Sequence, residues 1–182
     1  MKKSTQKSIF VIFSIVLLGS GLAWWSLSTT QSDKQPCAFC DPIILQTHTF
    51  YQDDYVRCMC THKPIQPGHC LIVPKRHIER FEEASEEEII AMGQAIKKIN
   101  RAIQQVNGPS SYLILQKNGP EVGQTVPHVH VHYIPKKVTN NKLTLFGLLW
   151  DFVIAPFQRP LKQEQLALCV TTMQQALADQ IL

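Results

Sequence analysis

The sequence predicts an α+β domain: an antiparallel sheet of about five strands, one long helix and a C-terminal helix, preceded by an N-terminal transmembrane helix. Three observations carry that expectation. Apolar residues recur at alternating spacings of three and four from Ile89 to Val106, the pattern of a helix with one buried stripe. Short β-branched and aromatic runs flank that helix, separated by turn residues. Near the start of the chain, residues 9–27 are almost wholly apolar, about the length needed to cross a bilayer.

Taken in order, Met1 to Ser8 carry Lys2, Lys3 and Lys7 and no acid. Lysines before an apolar span hold the N-terminus in the cytoplasm. The expectation is a single-pass membrane protein with its domain on the extracytoplasmic side. A cleaved signal peptide is the rival, with Gly21-Leu22-Ala23 as its small-x-small site. Trp24-Trp25 reads better as an interfacial anchor. Residues 1–34 are therefore expected to form an anchor and tether.

Cys37-Ala38-Phe39-Cys40 follows. A Cys-x-x-Cys pair is half a zinc site, a redox motif or a disulfide, and spacing alone leaves these open. Phe50-Tyr51, an Asp53-Asp54 turn and Tyr55 to Cys60 read as a hairpin, and Cys70 to Val73 as a short buried strand. Cys58, Cys60 and Cys70 then read as small buried thiols. Ser85-Glu86-Glu87-Glu88 is a capping box opening the long helix. Its stripe is Ile89, Met92, Ile96, Ile99, Ile103 and Val106, and Asn107-Gly108-Pro109 ends it. Ser111 to Gln116 is another strand. Beyond residue 138, Leu143 to Phe157 is apolar but too short to span a bilayer. A helix in the membrane interface and one packed on the domain or a partner subunit are both open. Leu166, Cys169, Val170, Met173, Leu177 and Ile181 form the stripe of the last helix.

The chemistry concentrates between Lys117 and Ile134. Lys117-Asn118-Gly119-Pro120-Glu121-Val122-Gly123-Gln124-Thr125 is a turn-forming loop rich in amides that could cradle an anion. It runs into Pro127-His128-Val129-His130-Val131-His132-Tyr133-Ile134. On a strand, alternate residues share a face, so His128, His130 and His132 would line up opposite Val129, Val131 and Tyr133. Three imidazoles on a plain core face would each need a partner, which points to a site.

The stretch Asn118 to Pro135 resembles the signature of the histidine triad (HIT) family, and its loop is especially similar to the dinucleoside polyphosphate hydrolase branch. Lys63 to His77, with Gly68-His69, an apolar strand and Pro74-Lys75-Arg76-His77, resembles a second block of the same family. The resemblance implies a HIT domain over residues 35–138, a homodimer, and cleavage at an α-phosphate through a nucleotidyl-histidine. It implies His130 as nucleophile, oriented by the His128 carbonyl, with His132 aiding the leaving group. It implies Gln124, Thr125, Lys117, Asn118, Gly123, His69 and Thr61 as substrate contacts. Thr61 stands where the family has Asp or Asn, and Lys117 where the dinucleotide branch has Gln. Structural zinc on Cys37, Cys40, His77 and His128 is also implied, a closed set of two thiolates and two imidazoles. A triad pKa near neutrality would suit proton transfer.

The net charge of +4 is small and no basic run is interleaved with aromatics, which argues against nucleic acid as partner. The alternative to a nucleotide hydrolase or transferase is a catalytically inactive zinc-binding or nucleotide-sensing module at the membrane.

Overall fold

The computed structural model describes residues 37–137, 144–157 and 159–180. A short 3-10 turn, Ala38–Cys40, leads into helix α1, Pro42–His48. Asp41 caps that helix: its side chain accepts from the Ile43 and Ile44 N–H groups at 2.7 and 3.1 Å. Strands β1, Thr49–Gln52, and β2, Val56–Cys60, form the expected hairpin. Asp53 closes its turn by accepting from the Tyr55 and Val56 N–H groups at 2.9 and 2.8 Å.

Strand β3 is Cys70–Pro74, helix α2 Glu86–Asn107, strand β4 Ser110–Gln116 and strand β5 Val131–Lys137. The five strands pair antiparallel in the order β1-β2-β3-β5-β4. The capping box is formed: Ser85 accepts from the Glu88 N–H, and Glu88 accepts from the Ser85 N–H. Glu88 also takes the guanidinium of Arg76 at 2.7 Å, tying the start of α2 to the segment that carries His77. Gly108, at φ +77, ends the helix in the left-handed region that glycine tolerates.

Alternation divides the sheet into two faces. Val56, Cys58, Cys60, Cys70, Ile72, Val131 and Tyr133 pack under α2 and the last helix, α4, Gln163–Ala178. Met59, Leu71 and Val73 point the other way, onto Phe39, Ile44 and Leu45. The stripe expected on α2 is shifted. Met92, Ile99 and Ile103 are buried, but so are Ala91, Ala95 and Ala102, while Ile89 and Val106 are exposed. Small residues let the helix lie close to its neighbours, and the end isoleucine and valine overhang the sheet. On α4, Leu166, Val170 and Met173 are buried as expected; Ile181 lies outside the described residues.

Cys60 is not a free buried thiol: it is disulfide-bonded to Cys169 of α4, with Cα atoms 6.5 Å apart. Cys58 and Cys70 remain free and buried. Helix α3, Thr144–Ile154, occupies the apolar tail segment. Asp151 fastens it, accepting from Lys136 at 3.0 Å and from Gln66.

The expected transmembrane architecture is corrected. Among the described residues no helix is long and apolar enough to cross a membrane. Helix α2 has 22 residues but is studded with charge; α3 is apolar but has only 11. The expectation of a single-pass localisation rested on the apolar composition of residues 9–27, which lie outside the described residues. Composition alone does not establish a spanning helix, and neither that architecture nor that localisation stands.

Candidate active site and metal cluster

The histidine stretch is only partly a strand. Pairing of β5 with β3 stops at Ile72 opposite Val131, so only His132 lies in the ladder. Pro127 offers no N–H, and the Val129 N–H donates instead to the Ile78 carbonyl at 2.7 Å. The three imidazoles still cluster: His130 and His132 have ring centroids 5.0 Å apart. His128 is wholly buried and His130 is 5% exposed.

Hydrogen bonds fix each tautomer. His130 Nδ1 lies 2.7 Å from the His128 carbonyl, which can only accept. The proton is therefore on Nδ1, and Nε2 keeps its lone pair. The Ile65 N–H donates to His69 Nδ1 at 3.0 Å, so neutral His69 carries its proton on Nε2. That nitrogen lies 3.0 Å from His132 Nδ1 and donates to it. His132 consequently presents an Nε2–H outward. A backbone amide, His69 and His132 thus form a chain that ends in a donor beside an unprotonated nitrogen on His130.

The near-neutral triad pKa expected from the sequence is not found. Burial pushes His132 down to about 3, helped by the His130, His69 and Lys117 charges. Burial pushes His69 to about 4, and lowers His130. The imidazoles are packed away from water with few anions nearby, so the charged form is disfavoured.

At the other end of the stretch, His128 donates Nε2–H to the Pro74 carbonyl at 3.0 Å. Its Nδ1 faces Cys37 Sγ at 3.3 Å and Cys40 Sγ at 3.6 Å. His77 Nδ1 lies 3.4 Å from Cys40 Sγ. One ligand atom from each of Cys37, Cys40, His77 and His128 falls within 4.8 Å of the others, and the two thiols are free. Tetrahedral zinc with its usual bond lengths separates sulfur and nitrogen ligands by about 3.5 Å, which these distances match. Burial raises Cys37 to about 11, with Cys40 beside it adding to the effect.

The loop residues divide. Asn118 is spent on structure: Oδ1 accepts from the Phe81 N–H at 2.8 Å and Nδ2 donates to Glu82 at 2.7 Å. Gln124 is spent as well, accepting from the Gly119 N–H at 2.6 Å and donating to the Glu79 and Val126 carbonyls. Gly123 sits at φ +83, where other residues are strained, and its N–H closes the turn on Pro120. Thr125 is exposed, and Lys117 is half-buried near His130 and His132. Thr61 accepts from the Lys63 N–H and shares with His69 an apolar cavity bounded by Cys169 and Met173 of α4.

Three contributors escaped the sequence reading. Phe39 stands 5.0 Å from the His130 ring, centroid to centroid. Its motif reads only as a cysteine spacing, and the signal available was an aromatic between the two thiols. The Ile65 N–H and the Pro74 carbonyl are backbone groups, which no side-chain pattern reveals.

Comparison with known proteins agrees with this geometry. Residues 45–139 match the model of the HIT domain. An adenylylsulfatase of Arabidopsis thaliana is 36% identical over 112 residues, 60% of this chain and 55% of that protein. An asymmetrical bis(5'-nucleosyl)-tetraphosphatase of Schizosaccharomyces pombe is 35% identical over 91 residues, half of each chain. The chain thus spans about half the length of these curated relatives. A zinc-bound histidine triad family protein of Mycobacterium smegmatis superposes with a TM-score of 0.59 at 23% identity, covering 80% of this chain and 96% of that one, which shows a shared fold. With the family model matching more than half of its residues, and the triad and its preceding loop assembled at one sheet face, this chain belongs to the HIT domain family.

Proposed function

We propose that this chain cleaves nucleotides at the α-phosphorus, as a hydrolase or nucleotidyl transferase, through a covalent intermediate on His130. The observation that carries the reading is the 2.7 Å hydrogen bond from His130 Nδ1 to the His128 carbonyl, which leaves Nε2 as a lone-pair nucleophile. In the first step Nε2 attacks phosphorus and the bond to the leaving group breaks. In the second, water attacks phosphorus and His130 departs with the electron pair of the phosphorus–nitrogen bond. The outward Nε2–H of His132 would hydrogen-bond a phosphate oxygen as negative charge grows. Thr125, Gly123 and Lys117 would border the phosphate. Asn118 and Gln124 would act by shaping the loop, not by direct contact. Phe39, 5.0 Å from the His130 ring, supplies an apolar face on which a base could stack.

The relatives support this class of reaction, since they are named for hydrolysis of adenylylsulfate and of a dinucleoside tetraphosphate. Cys37, Cys40, His77 and His128 would hold zinc, which when bound crosslinks the N-terminal segment to the triad and takes no part in bond breaking. A homodimer would suit edge strand β4, where Tyr112, Leu113 and Ile114 are exposed, and sedimentation of the purified chain tests it. The test of the main reading is direct. Protein mixed briefly with an adenylated substrate and quenched should carry one adenylyl group on His130 by mass spectrometry. Turnover with no such adduct, under conditions that trap phosphoramidates, would overturn the mechanism.

A further inference from the structure

Among the described residues, Lys117 is a basic side chain near the triad that the fold leaves unspent. Arg80 is paired with Glu82 at 2.5 Å and Arg76 with Glu88 at 2.7 Å, while Lys136 is held by Asp151. Among the described residues Lys117 has no ion pair and its ammonium donates no hydrogen bond; only its carbonyl is used, by Gln116. Glu121 lies across the loop, where its charge is felt by Arg80. The Lys117 ammonium stands 3.4 Å from where a Cβ on Gly123 would be. Gly123 therefore keeps open the space over which that ammonium reaches. Strand β4 pairs antiparallel with β5, with Leu115 opposite His132 and Gln116 opposite Val131, so Lys117, the next residue, continues alongside the triad stretch. A half-buried lysine with no ion pair among the described residues keeps its ammonium free to take an anion.

The neighbouring groups narrow what the anion is. Asn118 and Gln124 are consumed within the loop, and His69 and His132 are hydrogen-bonded to each other as neutral rings. None of them brings positive charge to the leaving side of the reaction. Resting on the reading above, we propose that Lys117 sets substrate choice: its ammonium receives the departing group, selecting nucleotides whose leaving group is an oxyanion over those whose leaving group is an amine. In the favoured case the bond from His130 Nε2 to phosphorus forms as the bond from phosphorus to the bridging oxygen breaks. The electron pair leaves on that oxygen, and Lys117 stabilises the charge without transferring a proton. An amine leaving group needs a proton instead, and a neutral His132 is a poor source of one.

The experiment compares two adenylates on the full chain: adenylylsulfate, which releases an oxyanion, and adenosine 5'-phosphoramidate, which releases an amine. Lys117→Gln should lower kcat/KM on adenylylsulfate by about 10- to 100-fold and on the phosphoramidate by less than about threefold, with Lys117→Arg restoring most of the loss. Equal losses on both substrates, or no loss, would overturn the proposal. A binding measurement does not depend on turnover. By calorimetry, ADP should bind the wild type about tenfold more tightly than AMP, and equally tightly in Lys117→Gln. An unchanged ratio would overturn the proposal. Turnover of neither adenylate, with a ratio that depends on Lys117, would sink the catalytic reading and leave the anion contact standing.

Discussion

The two faces of the sheet use cysteine in opposite ways. On the triad face, Cys37 and Cys40 sit at or near the surface with their sulfurs 3.3–3.6 Å from imidazole nitrogens. On the helix face, Cys58 and Cys70 are sealed in apolar packing, which pushes both thiols well above their ordinary range. Cys60, paired across the strands with Cys70, is instead bonded to Cys169 on α4. What differs is the partner: imidazoles at the open face, methyl groups and one sulfur at the closed one. Thiolates are the metal-binding and nucleophilic form, and on the open face a bound metal would have to supply them, since burial raises Cys37 to about 11. The buried thiols Cys58 and Cys70, held protonated, are poor agents for exchange with the neighbouring disulfide.

The comparison can be broken or sharpened experimentally. The largest effect should come from the nucleophile. His130→Asn should lower turnover by several orders of magnitude while nucleotide affinity stays within about tenfold, roughly 1.4 kcal/mol. Parallel loss of binding and turnover would mark the triad face as structural, like the helix face.

Next is the metal cluster. The purified chain should carry about one zinc, and Cys40→Ser should lose it, with the unfolding midpoint falling by on the order of 10 °C. Metal analysis and calorimetry read both. An apo protein that unfolds at the same temperature would remove the proposed contrast between the two cysteine sets.

On the closed face, the disulfide joins residues 109 apart. Cys169→Ser should cost about 2–5 kcal/mol in denaturant unfolding while changing turnover by less than about threefold. Alkylation of denatured but unreduced protein should label four of the six cysteines. Six labels would show that no such bond forms.

The last effect is one of pH. His69 and His132 are held at about 4 and about 3, below the value of about 6.5 for an unfolded histidine. Below pH ~6.5 the unfolded chain binds more protons than the folded one, so stability falls with pH and levels off below the folded values. Urea midpoints measured between pH 7 and pH 4 should show that decline, with a shallower slope in His69→Gln. An equal slope in the variant would place the dependence elsewhere.

Much of this was legible in the sequence. The capping box at Ser85, the Asp53 turn, the stop at Gly108 and the alternation of histidine with valine are local signals. Each depends on residues within a few positions of one another, where backbone geometry is nearly predetermined. The Cys37, Cys40, His77 and His128 set was reached through resemblance, and the structure brings those four together. Apolarity misled where it was read without a fold: residues 9–27 suggested a membrane span, and Ile89 suggested a core position. Other features needed tertiary structure because they join distant parts of the chain through space. Nothing local announces that Cys60 meets Cys169, since a disulfide depends on a Cα separation set only when α4 docks on the sheet. The tautomer of His132 depends on His69, 63 residues away in the chain. Asn118 and Gln124 looked free to bind phosphate, yet a folded loop must first satisfy its own amides and carbonyls, and these side chains do so. Sequence by itself determined which residue types were available for nucleotide chemistry. Tertiary structure decided which of them were left unspent, because hydrogen-bonding capacity is allotted only once the chain is packed.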